Sequence, residues 1–159
     1  MKDQAAPGWL SEDEQRTWRA FVGTSELLFD ALDRQLSRDA GMPHAYYRIL
    51  SQLSEAPGRA LRMTDLAART RASQSRLSHA VARLEEAGWV RRVPCPSDRR
   101  GTFAELTDAG LAALAAAAPG HVAAVREHLF DQLSPEQVGQ LRRICEAALA
   151  KLDQGRPGS

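Results

Sequence analysis

Apolar positions recur at helical spacing along most of this chain, and one central stretch breaks the pattern. Ser11-Glu12-Asp13-Glu14 has the form of a capping box, with Ser11 as N-cap and Glu14 placed to reach back to its amide. Beyond it Trp18, Phe21, Ser25, Leu28 and Leu32 step by three and four, and Val22, Phe29 and Leu36 widen the stripe. This spacing predicts a long amphipathic helix ending near Asp39-Ala40-Gly41. Met42-Pro43 restarts the chain, and Tyr46, Tyr47, Ile49, Leu50 and Leu53 predict a shorter helix closed by Ala56-Pro57-Gly58.

The following forty residues are organised differently. Ala60-Leu61-Arg62 has the pattern of a short strand, and Thr64 is placed to cap a helix through Leu66, Ala67 and Ala68 to Thr70. Arg71-Ala72 turns the chain, and Ser73 caps a second helix running through Leu77, Ala80, Val81 and Leu84 to Gly88. Two short helices joined by a tight turn make a helix-turn-helix. Trp89–Val93 and Thr102–Leu106 are strand-like, and Pro94–Gly101 between them is expected to be irregular because two prolines and a glycine interrupt it. Helix, helix, strand, basic loop and strand, in that order, describe a winged helix-turn-helix.

Thr107-Asp108 opens a final helical region, alanine-rich over 109–118, which Pro119-Gly120 is expected to kink or interrupt. Ser134-Pro135-Glu136-Gln137 is a second capping box, and Val138, Leu141, Cys145, Ala148 and Leu152 repeat the three-four spacing. The expected architecture is mainly α with a small β-hairpin wing: a winged helix-turn-helix on a helical dimerisation platform. Residues 10–58 would supply support and dimerisation, 59–107 the winged region and 108–152 further dimerisation helices, with 1–8 and 154–159 disordered. Narrow stripes on the helices at both ends, with no third layer to cover them, point to a homodimer.

The chain has 159 residues, 43% of them hydrophobic and 26% charged, enough for one domain with a substantial core. It contains no unbroken run of 18 apolar residues, so no membrane-spanning helix is expected, and its polar, acidic start does not have the form of a signal peptide. Two scattered cysteines, Cys95 and Cys145, fit neither a disulfide scaffold nor a zinc site, and a reducing cytoplasm is the expected compartment. The net charge of +1 conceals an uneven distribution. Residues 59–100 hold ten arginines against four acids, a net +6, between flanks of −3 and −2. Such a basic centre fits a local anion-binding module, and on charge alone a solvated basic face fits it as well.

On a helical wheel of Ser73–Gly88, Leu77, Ala80, Val81 and Leu84 face inward. Ser75, Ser78, His79, Ala82 and Arg83 face outward, with Gln74 at the start and Arg76 on the flank. Short hydroxyl, amide and imidazole groups with flanking arginines suit a major groove. Asp98-Arg99-Arg100-Gly101 forms a basic hairpin tip of the kind that enters a minor groove. Glu85-Glu86 is expected to be merely solvated.

Leu66-Ala67, Ser75-Arg76-Leu77-Ser78, Arg83 to Val90, Asp98-Arg99-Arg100 and Leu106-Thr107-Asp108-Ala109-Gly110 together resemble the MarR family of dimeric winged helix-turn-helix transcription regulators, over residues 10–152. The resemblance implies a homodimer on a pseudo-palindromic operator in double-stranded DNA, acting as a repressor. It makes Arg100 the minor-groove arginine, Asp98 its positioning partner and Arg99 a phosphate contact, with Gln74, Ser75, Arg76, Ser78, His79 and Arg83 on the presented helix. It also implies release by a small aromatic or phenolic effector, for which Trp18, His44, Tyr46 and Tyr47 are the candidate cleft residues, although ordinary core or interface packing accounts for them better. His44 otherwise has the position of a surface or capping residue. Cys95 among the wing arginines is a candidate for redox release, and Cys145 is expected to be inert packing.

No cofactor, metal, membrane partner or enzymatic activity is expected. The chain has no phosphate loop, H-E-x-x-H, nucleophile elbow or paired carboxylates. The competing function is a winged-helix module that binds another protein without specific DNA recognition. Salt-dependent DNA binding separates the two.

Overall fold

The computed structural model describes residues 8–95 and 98–154, with backbone only for 98–100. Six helices and three strands follow in the order α1 (Glu12–Ala40), α2 (His44–Ser54), β1 (Ala60–Arg62), α3 (Met63–Thr70), α4 (Gln74–Glu86), β2 (Val90–Cys95), β3 (Asp98–Leu106), α5 (Asp108–His128) and α6 (Pro135–Gln154). Single 3-10 turns lie at Pro57–Arg59 and Phe130–Gln132. The chain divides into two compact units, residues 1–122 and 123–159.

Local chemistry sets the boundaries. Ser11 Oγ accepts from the Glu14 amide at 3.2 Å and the Glu14 carboxylate accepts from the Ser11 amide at 2.8 Å, completing the capping box of α1. These two bonds hold the Glu14 pKa below its ordinary value. Gly41, at φ 63°, ends α1 in the left-handed conformation that glycine adopts without Cβ strain. Ser73 Oγ caps α4 through the Arg76 amide, and Ser134 and Gln137 bond reciprocally at the start of α6. Thr64 does not cap α3. That helix begins one residue earlier, at Met63, with Arg62 as an N-cap that makes no side-chain bond.

The larger unit has one core. Leu36, Met42, Leu50, Leu53, Leu66, Leu77, Val81 and Leu84 are fully buried, and Val90, Ala104, Leu106, Leu114 and Ala117 complete the cluster. At about 25 cal/mol per Å2 of apolar surface, each buried leucine contributes ~2 kcal/mol, so α2, α3, α4, the sheet and the start of α5 form one packed body. The first half of α1 stands outside it. Trp18 and Phe21 are exposed, and the buried positions of this helix are Leu32, Gln35 and Leu36.

The sheet is antiparallel in the order β1-β3-β2, so a third strand joins the expected hairpin. Leu61 pairs with Ala104, and Val90 pairs with Leu106 through to Pro94 with Thr102, after which the register shifts. The expected irregular stretch Pro94–Gly101 is therefore largely strand. β2 lies at the sheet edge, where a residue without an N–H is tolerated, and the register change follows immediately after that proline. Pro119 likewise fails to interrupt α5, which runs on to His128. The bond lost there is the one to the Ala115 carbonyl.

Three further observations bear on the expectations. The stretch 108–132, with a mean hydropathy of 1.3 in its most apolar window, is long and apolar enough by composition alone to cross a membrane. Its alanines raise the mean without forming an unbroken apolar run. Of the terminal segments expected to be disordered, Gly8 lies in a turn and Gln154 ends α6; the rest fall outside the described residues. Cys145, on α6, is half-buried and Cys95 is buried, and neither forms a disulfide among the described residues.

Candidate nucleic-acid interface

α4 buries Leu77, Val81 and Leu84 and leaves Gln74, Ser75, Arg76, Ser78, His79 and Arg83 exposed, with Ala82 half-buried between them. Inward and outward faces therefore match the wheel. The helix is also fastened to β2 by a strap with no local sequence signature. The Arg92 amide donates to Glu85 Oε1 at 2.8 Å and Arg92 Nη1 to Oε2 at 2.9 Å, while Arg92 Nη2 donates to the Ser78 carbonyl at 2.7 Å and Ser78 Oγ at 3.2 Å. Glu85 is thus a structural partner rather than a solvated acid, and Ser78 is engaged from the wing side. Each pair member is seven to fourteen residues from the other, across the turn at Gly88, where no helical or strand period applies.

The basic patch is also more compensated than its composition indicates. Arg83 pairs with Glu86 at 2.7 Å, Arg91 with Glu105 at 2.6 Å and Arg59 with Asp108 at 3.0 Å. The Glu86 carboxylate holds the Arg83 guanidinium pKa above its usual value, and the Arg91 guanidinium lowers that of Glu105. Extending the count to residue 108 leaves ten arginines against six acids, a net +4. Arg76 and His79 stand on the exposed face beside this compensated set.

The side chains of Asp98, Arg99 and Arg100 lie outside the described residues; their backbone begins β3. Cys95 accepts from Arg62 Nη2 at 3.2 Å, and the Arg62 guanidinium sits 5.7 Å from the centre of the Phe103 ring. Arg91 and Arg92, expected to surround this thiol, are bonded to acids instead.

The four proposed effector residues are not brought together. Trp18 stacks on Phe21 with centroids 6.2 Å apart and lines an open groove with Trp9, Leu10, Gln15 and Arg19. It is eleven residues, about 16 Å along α1, from Phe29. His44 stacks on Phe29 at 5.8 Å and meets His121 at 5.5 Å, and Tyr47 lies 4.3 Å from His121. The His44 amide donates to Asp33 Oδ1 at 2.8 Å. His44 is therefore a half-buried member of an aromatic cluster as well as the first residue of α2. Burial lowers the pKa of both histidines, with the facing His121 and Arg48 adding to the effect at His44 and Asp33 opposing it; burial raises that of Tyr47. Gln35 Nε2 donates to Asp39 Oδ2 at 3.1 Å, and Gln35 Oε1 and His121 Nδ1 are buried acceptor positions without a partner among the described residues. His121 had no sequence signal beyond its place in an alanine-rich helix. Tyr46 faces away from this cluster, into a groove of 610 Å3 lined by Arg76, His79, Ala82, Arg83 and Glu86 on α4.

A sequence profile of the MarR family matches residues 40–101. The HTH-type transcriptional regulator PecS of Dickeya dadantii is 36% identical over 72 residues, which are 45% of this chain and 43% of that protein, so the match spans less than half of this curated relative. Among solved structures, Sco3205, a MarR family transcriptional regulator from Streptomyces coelicolor in complex with DNA, is 56% identical. The match covers 91% of this chain and 94% of that one, with a TM-score of 0.88. AbsC, a MarR family transcriptional regulator from the same organism, is 42% identical over 93% of this chain and 99% of its own, with a TM-score of 0.87. The winged sheet, the strapped helix α4 and likeness over nine-tenths of the chain lead to one assignment: this chain belongs to the MarR family of transcriptional regulators.

Proposed function

We propose that the chain binds DNA sequence-specifically as a homodimer and represses transcription from a pseudo-palindromic operator whose half-sites lie about one helical turn, ~34 Å, apart. The observation that carries this reading is the outer face of α4, where exposed Ser75, Arg76 and His79 are held on a helix capped by Ser73 and strapped by Arg92. The 56% identity to a regulator solved with DNA supports it. In this arrangement Ser75, Ser78 and His79 approach base edges, Gln74, Arg76 and Arg83 flank them, and the wing residues Asp98, Arg99 and Arg100 reach the adjacent minor groove. Residues 59–107 form the DNA-binding region; 10–58 and 108–152 supply support and the dimer contacts. A small aromatic or phenolic effector would release the complex by entering the cluster of Phe29, His44, Tyr47 and His121, where Gln35 Oε1 and His121 Nδ1 offer acceptors to a ligand hydroxyl.

Fluorescence anisotropy on the DNA immediately upstream of the chain's own gene, beside a scrambled duplex and a salt series, tests the reading. The expected result is tighter binding to the native fragment, falling steeply with salt as counterions are released. Equal, weak binding to both duplexes would favour a winged helix that serves a protein partner.

A further inference from the structure

Adjacent tyrosines on α2 serve two different faces. Successive helical residues are about 100° apart, and here that angle sends Tyr47 onto His121 and Tyr46 to the side of α4. Tyr46 is half-buried, on the wall of the groove opposite α4. The groove it shares with α4 is lined along the other wall by Arg76, His79 and Arg83, with Glu86 already paired to Arg83 at 2.7 Å. A phenol anchored by its ring beside Arg76, His79 and an Arg83 that Glu86 now partners is a fixed neutral donor at the basic edge of α4.

We infer that Tyr46 is a DNA-backbone contact contributed from outside the helix-turn-helix, its hydroxyl donating to a phosphate that lies along the α2–α4 groove. This rests on the DNA-binding reading above. A helix seated in a major groove presents its front to base edges and its flanks to the bordering phosphates. Tyr46 belongs to the flank, because it projects from α2 onto the side of α4 that carries Arg76 and Arg83. Tyrosine hydroxyls contact phosphate oxygens, setting register without conveying sequence. Arg83 would exchange Glu86 for the same phosphate.

Tyr46→Phe removes one oxygen and keeps the ring against α4. With native and scrambled duplexes, the expected result is affinity weakened about threefold to tenfold on both, the range for losing one hydrogen bond. The salt slope should stay unchanged, since no charge is lost, whereas Arg76→Ala should lower it by about one. Thermal melting of the variant should match the parent. Parental affinity in Tyr46→Phe overturns the assignment, as does a loss confined to the native duplex, which would mean base reading. If the parent protein binds neither duplex, the DNA-binding reading fails first and takes this one with it.

Discussion

Gly110 is the residue at which the start of α5 is most tightly constrained. A Cβ there would lie 2.1 Å from the Trp89 carbonyl oxygen and 2.7 Å from Leu106 Cδ1. Thr107 fixes the approach: its amide donates to the Trp89 carbonyl at 3.1 Å, its hydroxyl donates to the Gly88 carbonyl at 2.7 Å, and the same hydroxyl accepts from the Gly110 amide at 3.0 Å. Helix and strand cannot separate without breaking these bonds, so Gly110→Ala is expected to cost ~3 kcal/mol or more, read as a lower thermal midpoint. Gly23→Ala, where the added carbon meets nothing within 4 Å inside α1, is expected to gain up to ~1 kcal/mol through helix propensity. The two histidines provide a pH-dependent counterpart. Their folded pKa values are lowered, so the unfolded chain takes up protons first, and stability is full above the ordinary imidazole pKa of about 6.5 and is lost as pH falls below it. Replacing His121 with Phe keeps a ring against Tyr47 and removes a buried polar atom without a partner. The difference in thermal midpoint between pH 7.5 and 5.5 should shrink in His121→Phe; an unchanged difference would place the acid sensitivity elsewhere.

At the scale of elements, Arg92 joins the wing to α4. It makes four bonds to Glu85 and Ser78 with both charged side chains about one-third exposed. Arg92→Ala removes three side-chain bonds and leaves Glu85 half-buried with only the backbone amide. A loss of ~2 kcal/mol is expected, with weaker DNA binding because α4 is no longer held at its angle to β2. Measuring melting and anisotropy on the same samples separates the two effects, and a melting loss alone would show that the strap does not position α4. This strap also marks what was legible in the sequence. Ser11, Ser73 and Ser134 announced three helix starts because capping is a contact between residues three apart. The faces of α4 followed from period alone. Glu85 with Arg92, and His44 with His121, are contacts between elements, which no period encodes. Pro94 differs for the opposite reason: a proline in a strand is costly in isolation, and its tolerance at a sheet edge is known only once the strands are paired.

The whole molecule leaves large apolar side chains in water. Trp9, Trp18, Phe21 and Leu27 are exposed at the N-terminal end of the larger unit, and α6 in the smaller unit has no buried residue, with Ile144 and Leu152 each 66% exposed. Exposed apolar side chains on a helix mark an interaction face in each unit, and the three-four spacing of α6 suits a helical partner. Under the dimer proposed above, a second copy of the chain would meet that need symmetrically and place two α4 helices on one DNA duplex, so that dimerisation and operator affinity would become one free energy. Ile144→Glu combined with Leu152→Glu puts two charges on the exposed stripe without touching the buried core, and circular dichroism should be unchanged. Sedimentation should shift from a mass near twice 17.4 kDa to the single chain. DNA affinity should fall by at least tenfold while a residual, salt-sensitive binding to half-sites remains. A variant that stays dimeric would assign the interface to the α1 aromatics instead. One that becomes monomeric yet binds the full operator with parental affinity would remove the coupling altogether.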